Sequence, residues 1–198
     1  MKVQCDKKGI LKASEIIKDG GIAVYPTDTV YGIGCNPYLR ESVDKIYRIK
    51  NRERRKPLPL LAYSVEKAEE IVSFDEKTRK VIKKFWPGAL TVLLKANDQG
   101  LKESLGIGGR IAIRIPNSKC TLNLLQKVGF LVGTSANISG EKPFTDPRDC
   151  PAGLVDFEIF VDGGAIKSKG ESTIIEVTDD KVRIIREGAI SKEEILAI

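Results

Sequence analysis

Stretches of helical periodicity alternate with short β-prone runs along this chain, each cut off by glycine or proline, and that alternation restricts it to the α/β class. Ile10 to Lys18 reads as an amphipathic helix stopped by Gly20-Gly21, and Ile22 to Tyr25 as a strand ended by Pro26. After a glycine-rich turn at Gly32-Ile33-Gly34, Val43, Ile46 and Tyr47 recur at helical spacing, and Leu58 to Tyr63 follows as a strand. Ser64 and Asp75 stand at the N-caps of two helices, with apolar stripes at Ala68, Ile71 and Val72 and at Val81, Ile82 and Phe85. Pro87-Gly88 closes the second, and Leu90 to Leu94 is the next strand. Ile111, Ile113 and Ile115 alternate with Arg110, Ala112 and Arg114 in a half-buried strand, and Ser118 caps a helix carrying Leu122, Leu125 and Val128 up to Gly129. Phe130 to Gly133, Glu158 to Val161, Thr173 to Val177 and Val182 to Arg186 are the remaining strands. The last two are joined by a hairpin at Asp179-Asp180, and Ser191 with Glu194 forms a capping box on a final helix. Helix-linked strands ending in a hairpin imply a twisted, mixed parallel and antiparallel sheet with flanking helices.

Length places all of residues 1–198 in one domain, and no apolar run approaches the roughly 20 residues of a membrane span. The N-terminus turns polar too early for a signal peptide, so a soluble, cytoplasmic protein is expected. The four cysteines show no C-x-x-C spacing and read as free thiols. There is no histidine, which removes the commonest general base, the Ser-His-Asp triad and the usual zinc ligand sets. Chemistry must therefore run on carboxylates, lysine, arginine, hydroxyls, backbone amides or a metal. The net charge of +6 favours a nucleotide, phosphate or RNA as partner, yet neither G-x-G-x-x-G after the first strand nor G-x-x-x-x-G-K-[ST] is present.

Four segments concentrate candidate groups. Pro26-Thr27-Asp28-Thr29-Val30-Tyr31-Gly32 lies at the end of a strand, where α/β sheets offer a ligand crevice, and also has the composition of a plain turn. Lys50 to Pro57 carries five cations within eight residues at a helix end; they suit a triphosphate, and equally a solvated helix C-terminus. Arg110 and Arg114 share one strand face, about 13 Å apart at ~3.3 Å per residue, where an arginine beside Ala112 could hold a carboxylate ligand or an acidic side chain. Gly133 to Gly140 sets small and hydroxyl-bearing residues after a buried strand. The irregular stretch Ser139 to Gly153 has the length of an active-site loop.

In this order P-T-D-T-V-Y-G, K-N-R, K-P-L, W-P-G-A-L-T, R-I-P, S-A-N-I-S-G and E-S-T-I-I resemble the signatures of the YrdC/Sua5 family of threonylcarbamoyl-AMP synthases, from about Gly20 to Gly188. The resemblance implies a twisted α/β fold with a concave, positively charged surface for ATP and L-threonine. By position it implies threonine contacts from Thr29, Arg114, Ser135 and Ser172, with Arg114 at the carboxylate. It implies nucleotide contacts from Lys50, Arg52, Lys56, Asn137, Thr145 and Arg186, with Lys50 and Arg52 catalytic. Two positions depart from the pattern: Leu61 or a neighbour where many members have histidine, and Arg110 where a smaller residue such as threonine is common. The length resembles the short YrdC form rather than two-domain Sua5.

The implied reaction joins threonine, bicarbonate and ATP, with Mg2+, into threonylcarbamoyl-AMP and pyrophosphate, and a TsaD/Kae1-type transferase then carries the group to adenosine 37 of tRNA. Rival readings are a module that binds tRNA or double-stranded RNA without chemistry, and a YciO-type paralogue lacking the activity. Lys50 and Arg52 reach phosphate from one side only if the preceding helix ends near Lys50.

Overall fold

A computed structural model describes residues 1–178 and 181–197. The strands form two mixed sheets rather than the single one expected. In the first, β1 (Lys2–Gln4), β9 (Ile159–Asp162), β2 (Ala23–Tyr25), β3 (Gly32–Gly34) and β8 (Thr134–Ser135) lie side by side in that order. The second runs β11 (Val182–Arg186), β10 (Thr173–Val177), β5 (Leu90–Lys95), β6 (Arg110–Arg114), β4 (Leu60–Ala62) and β7 (Phe130–Val132). β10 pairs in parallel with β5 and antiparallel with β11, so the terminal hairpin pairing is present. Its turn, placed by sequence at Asp179-Asp180, lies outside the described residues.

The helices α1 (Lys7–Lys18), α2 (Arg40–Ile49), α3 (Val65–Glu69), α4 (Glu76–Phe85), α5 (Gln99–Leu105), α6 (Lys119–Val128) and α7 (Lys192–Leu196) flank these sheets. Ser64, Asp75 and Ser118 cap helices as expected, each accepting a backbone N–H from three residues on, and Ser191 with Glu194 closes the capping box. α1 starts earlier than its apolar stripe, because Asp6 caps it through the Gly9 N–H at 2.7 Å. The pattern also passes over α5, capped by Asp98 and ended by Gly106 at φ 64°.

Gly32-Ile33-Gly34 is a strand rather than a turn. It runs antiparallel between β2 and β8, and a Cβ on Gly34 would stand 1.8 Å from the Val132 carbonyl oxygen. Glycine is required there for close approach of two backbones, not for turning.

One large apolar core fills the space between the sheets and α2, α4 and α5, and a smaller one packs α1 and α6 on the outer strands through Ile10, Ile17, Leu124, Leu125 and Val161. The smaller core carries a covalent tie. Cys5 and Cys120, expected as free thiols, form a disulfide with a Cα–Cα distance of 5.9 Å across a sequence separation of 115, while Cys35 and Cys150 are free. Only the docking of α6 beside the β1–α1 turn brings them within bonding reach. Cys5→Ser is expected to lower unfolding free energy by about 2–4 kcal/mol, the usual effect of opening a long closed loop. Urea titration of wild type and variant, with and without reductant, checks this, and reduction should remove the difference.

Candidate active site

A cavity of about 390 Å³ is lined from both sheets. Its floor follows from strand parity. On β5 and β6, Val92, Ile111 and Ile113 face the apolar core, so Thr91, Leu93, Ala112 and Arg114 face the cavity. Ile174, Ser172 and Arg186 continue that surface on the hairpin side, and Thr27, Thr29, Thr134 and Ser135 close it from the other sheet.

Arg114 ends β6 with its side chain almost wholly buried. Its Nε donates to the Gly88 carbonyl at 2.9 Å, Nη1 to Thr29 Oγ1 at 3.0 Å, and Nη2 to Asp28 Oδ1 at 2.5 Å. These bonds occupy three of the five guanidinium N–H groups, leaving two for a ligand. Burial lowers its pKa and the Asp28 carboxylate opposes that, so a guanidinium this basic stays charged. The P-T-D-T segment is thus a site loop rather than a plain turn: Thr27 Oγ1 bonds within it to Val30 and Thr29, Thr121 Oγ1 holds the Pro26 carbonyl from α6, and Asp28 orients the buried arginine.

The second cationic wall comes from the segment after α2. Arg52 lines the cavity, with Nε donating to the Lys56 carbonyl at 2.9 Å and Nη2 to the Pro57 carbonyl at 3.1 Å. Burial lowers its pKa, with Arg186 adding to the effect. Arg186 donates to the Ser172 carbonyl at 2.9 Å and pairs with Glu171 at 3.2 Å, while its buried Nε has no partner among the described residues. Glu171 is the one carboxylate on the cavity wall among the described residues. Of the rest of the charge run, Arg54 pairs with Asp44 away from the cavity, while Arg55 and Lys56 sit at its rim, each paired with Glu53. Arg110 also leaves the site, paired with the buried Glu176.

The cavity therefore gathers Thr29, Arg52, Lys56, Arg114, Ser135, Ser172 and Arg186 from the expected set, and Asp28, Thr91 and Glu171 join them as neighbours. Three expected residues are placed elsewhere. Lys50 is 1% exposed and does not line the cavity. α2 does end at Ile49, as a phosphate-facing Lys50 required, but Lys50 keeps helical dihedrals and Asn51 turns left-handed at φ 47°. The reversal at Asn51 removes the simple extended parity, so Arg52 enters the cavity while Lys50 stays on the buried face of α2. Asn137 is likewise buried behind the wall, and Thr145 lies off it, its carbonyl accepting the Ile166 N–H at 2.9 Å.

A family model for the Sua5/YciO/YrdC domain, described as telomere recombination, matches residues 15–188. The chain belongs to the Sua5/YciO/YrdC family. Within the family it is 34% identical to a Mycobacterium tuberculosis protein, over 96% of this chain and 89% of that one. It is 34% identical to the threonylcarbamoyl-AMP synthase of Bacillus subtilis, over 96% of this chain and 56% of the relative. Among solved structures, P. abyssi Sua5 complexed with L-threonine matches with a TM-score of 0.88 at 29% identity, covering 100% of this chain and 59% of that one. E. coli YciO matches with a TM-score of 0.84 at 25% identity, covering 95% and 94%. This Sua5/YciO/YrdC chain thus spans less than two thirds of the B. subtilis and P. abyssi members.

Removing the carboxylate that faces Arg114 leaves a buried charge short of its partner. Asp28→Ala is expected to cost about 3 kcal/mol of stability. Arg55→Ala, on the exposed pair, should leave the unfolding midpoint unchanged. Urea denaturation of both variants is the check.

Proposed function

We propose that this chain is a nucleotidyltransferase that makes threonylcarbamoyl-AMP and pyrophosphate from L-threonine, bicarbonate or CO2, and ATP. The observation that carries the reading is a single cavity joining a buried arginine with spare N–H donors to the cations Arg52, Lys56 and Arg186. Such a cavity suits an amino-acid carboxylate beside a polyphosphate. The P. abyssi Sua5 with L-threonine, alike in fold, and the B. subtilis synthase, alike in sequence, support the same substrates here.

Arg114, Thr29, Ser135 and Ser172 hold threonine in this reading. The threonine amine, its proton passing to solvent, attacks CO2 to form a carbamate. A carbamate oxygen then attacks the α-phosphorus of ATP, and the bond to the β-phosphate oxygen breaks to release pyrophosphate. Arg52, Lys56 and Arg186 offset the charge gathering on the phosphates, so catalysis is mostly positioning and electrostatics. Mg2+ would accompany the ATP phosphates and add to that charge stabilisation. The adenylate passes to a TsaD/Kae1-type transferase acting on adenosine 37 of tRNA, and the tRNA target places the enzyme in the cytoplasm. No helix among the described residues is long and apolar enough to cross a membrane.

Pyrophosphate release should require both threonine and bicarbonate, and mass spectrometry should find threonylcarbamoyl-AMP; release indifferent to threonine would refute the reading. Arg52→Ala should slow adenylate formation on the order of a hundredfold with folding nearly unchanged. Arg54→Ala, from the same charge run but off the cavity wall, should turn over like wild type, and equal mild effects in the two variants would remove Arg52 from the site.

A further inference from the structure

We propose that Lys50 is a positioning residue, which shapes the Ser135–Asn137 wall of the cavity from behind and never touches a phosphate. This rests on the function proposed above. The Lys50 ammonium donates to the Ser135 carbonyl, to the Asn137 carbonyl at 2.6 Å and to Asn137 Oδ1 at 3.2 Å. An ammonium has three N–H groups, so none is left for a ligand. The backbone carbonyl of Lys50 accepts the Ser139 N–H at 2.7 Å, which ties the same segment a second time.

Asn137 relays the constraint. With Oδ1 held by Lys50, its Nδ2 donates to the carbonyls of Ile138 at 3.0 Å and Glu141 at 2.6 Å, so one lysine orders the chain from Ser135 to Glu141. Turning the Ser135 carbonyl inward leaves Gly133, Thr134 and the Ser135 hydroxyl as the surface offered to substrate. Neither a methionine nor a leucine could hold three oxygens in this way, and an arginine would spread its donors over a plane. The charge is retained although burial pushes the Lys50 pKa down to about 8; Arg52 lowers it further, Glu171 opposes, and no ion pair to Lys50 is present among the described residues. An unpaired buried charge is costly and persists where its hydrogen bonds are needed.

Trace labelling with acetic anhydride, read by peptide mass mapping with and without ATP, separates a strut from a phosphate ligand. Lys50 should react at least tenfold more slowly than the exposed Lys56 and be indifferent to ATP. A Lys50 that reacts as fast as Lys56 and is shielded by ATP would overturn the proposal. Loss of ATP shielding at Lys56 would count against the proposed function while a slow Lys50 still stood. In Lys50→Met, hydrogen exchange should speed at least tenfold at the Ala136 and Ser139 amides and stay unchanged in β5. Its kcat should fall about a hundredfold with the KM for ATP within threefold of wild type. A variant that raises only the KM for ATP, or that loses protection throughout the chain, would refute the role.

Discussion

The buried guanidinium of Arg114 is the contact on which the site depends. It stands at the end of β6 in one sheet and bonds to Thr29 and Asp28 in a loop of the other, with the Gly88 carbonyl as its third acceptor. Desolvating an arginine is unfavourable unless its donors are satisfied, so the loop, the strand end and the β5 approach must all be in place for it to be tolerated. The same arrangement leaves two N–H groups unspent. Stability and ligand recognition therefore draw on one residue.

Around that contact the cavity is built by parity. Residues of β5 and β6 alternate between core and cavity, which puts a threonine, a leucine, an alanine and an arginine on the floor without any irregularity of the strands. The apolar members, with Leu61 and Ile174, keep the dielectric low beneath the polar ones and strengthen each electrostatic contact above. The Thr91 hydroxyl on β5 donates to Ser172, and β10 pairs with β5, so the last strands of the chain belong to the site as much as the first loop does.

The segment after α2 shows how one backbone dihedral redistributes function. The five cations from Lys50 to Lys56 read as one charge run, yet they separate into a buried strut, three cations on the cavity wall or rim, and Arg54, paired with Asp44 away from it. Asn51 in the left-handed region makes the division, sending Lys50 inward and Arg52 to the cavity. Asparagine tolerates that conformation at small cost, and its place between the two cations carries information that charge counting misses.

The amino-acid sequence by itself determined the α/β class, most elements, the helix caps and the segments from which part of the cavity is drawn, because period, caps and the ordered motifs are local properties of the chain. It also placed Arg114, Thr29 and Ser172 within reach of one another through the resemblance its motifs carry. The tertiary structure alone decided that the strands divide into two sheets, that Gly32 to Gly34 is a paired strand, and that Cys5 meets Cys120 across a separation of 115. It alone decided which cations keep free donors. These depend on which backbones approach each other at long range, and hydrogen-bond saturation of a side chain such as Lys50 cannot be read until its acceptors at Ser135 and Asn137 have been brought beside it.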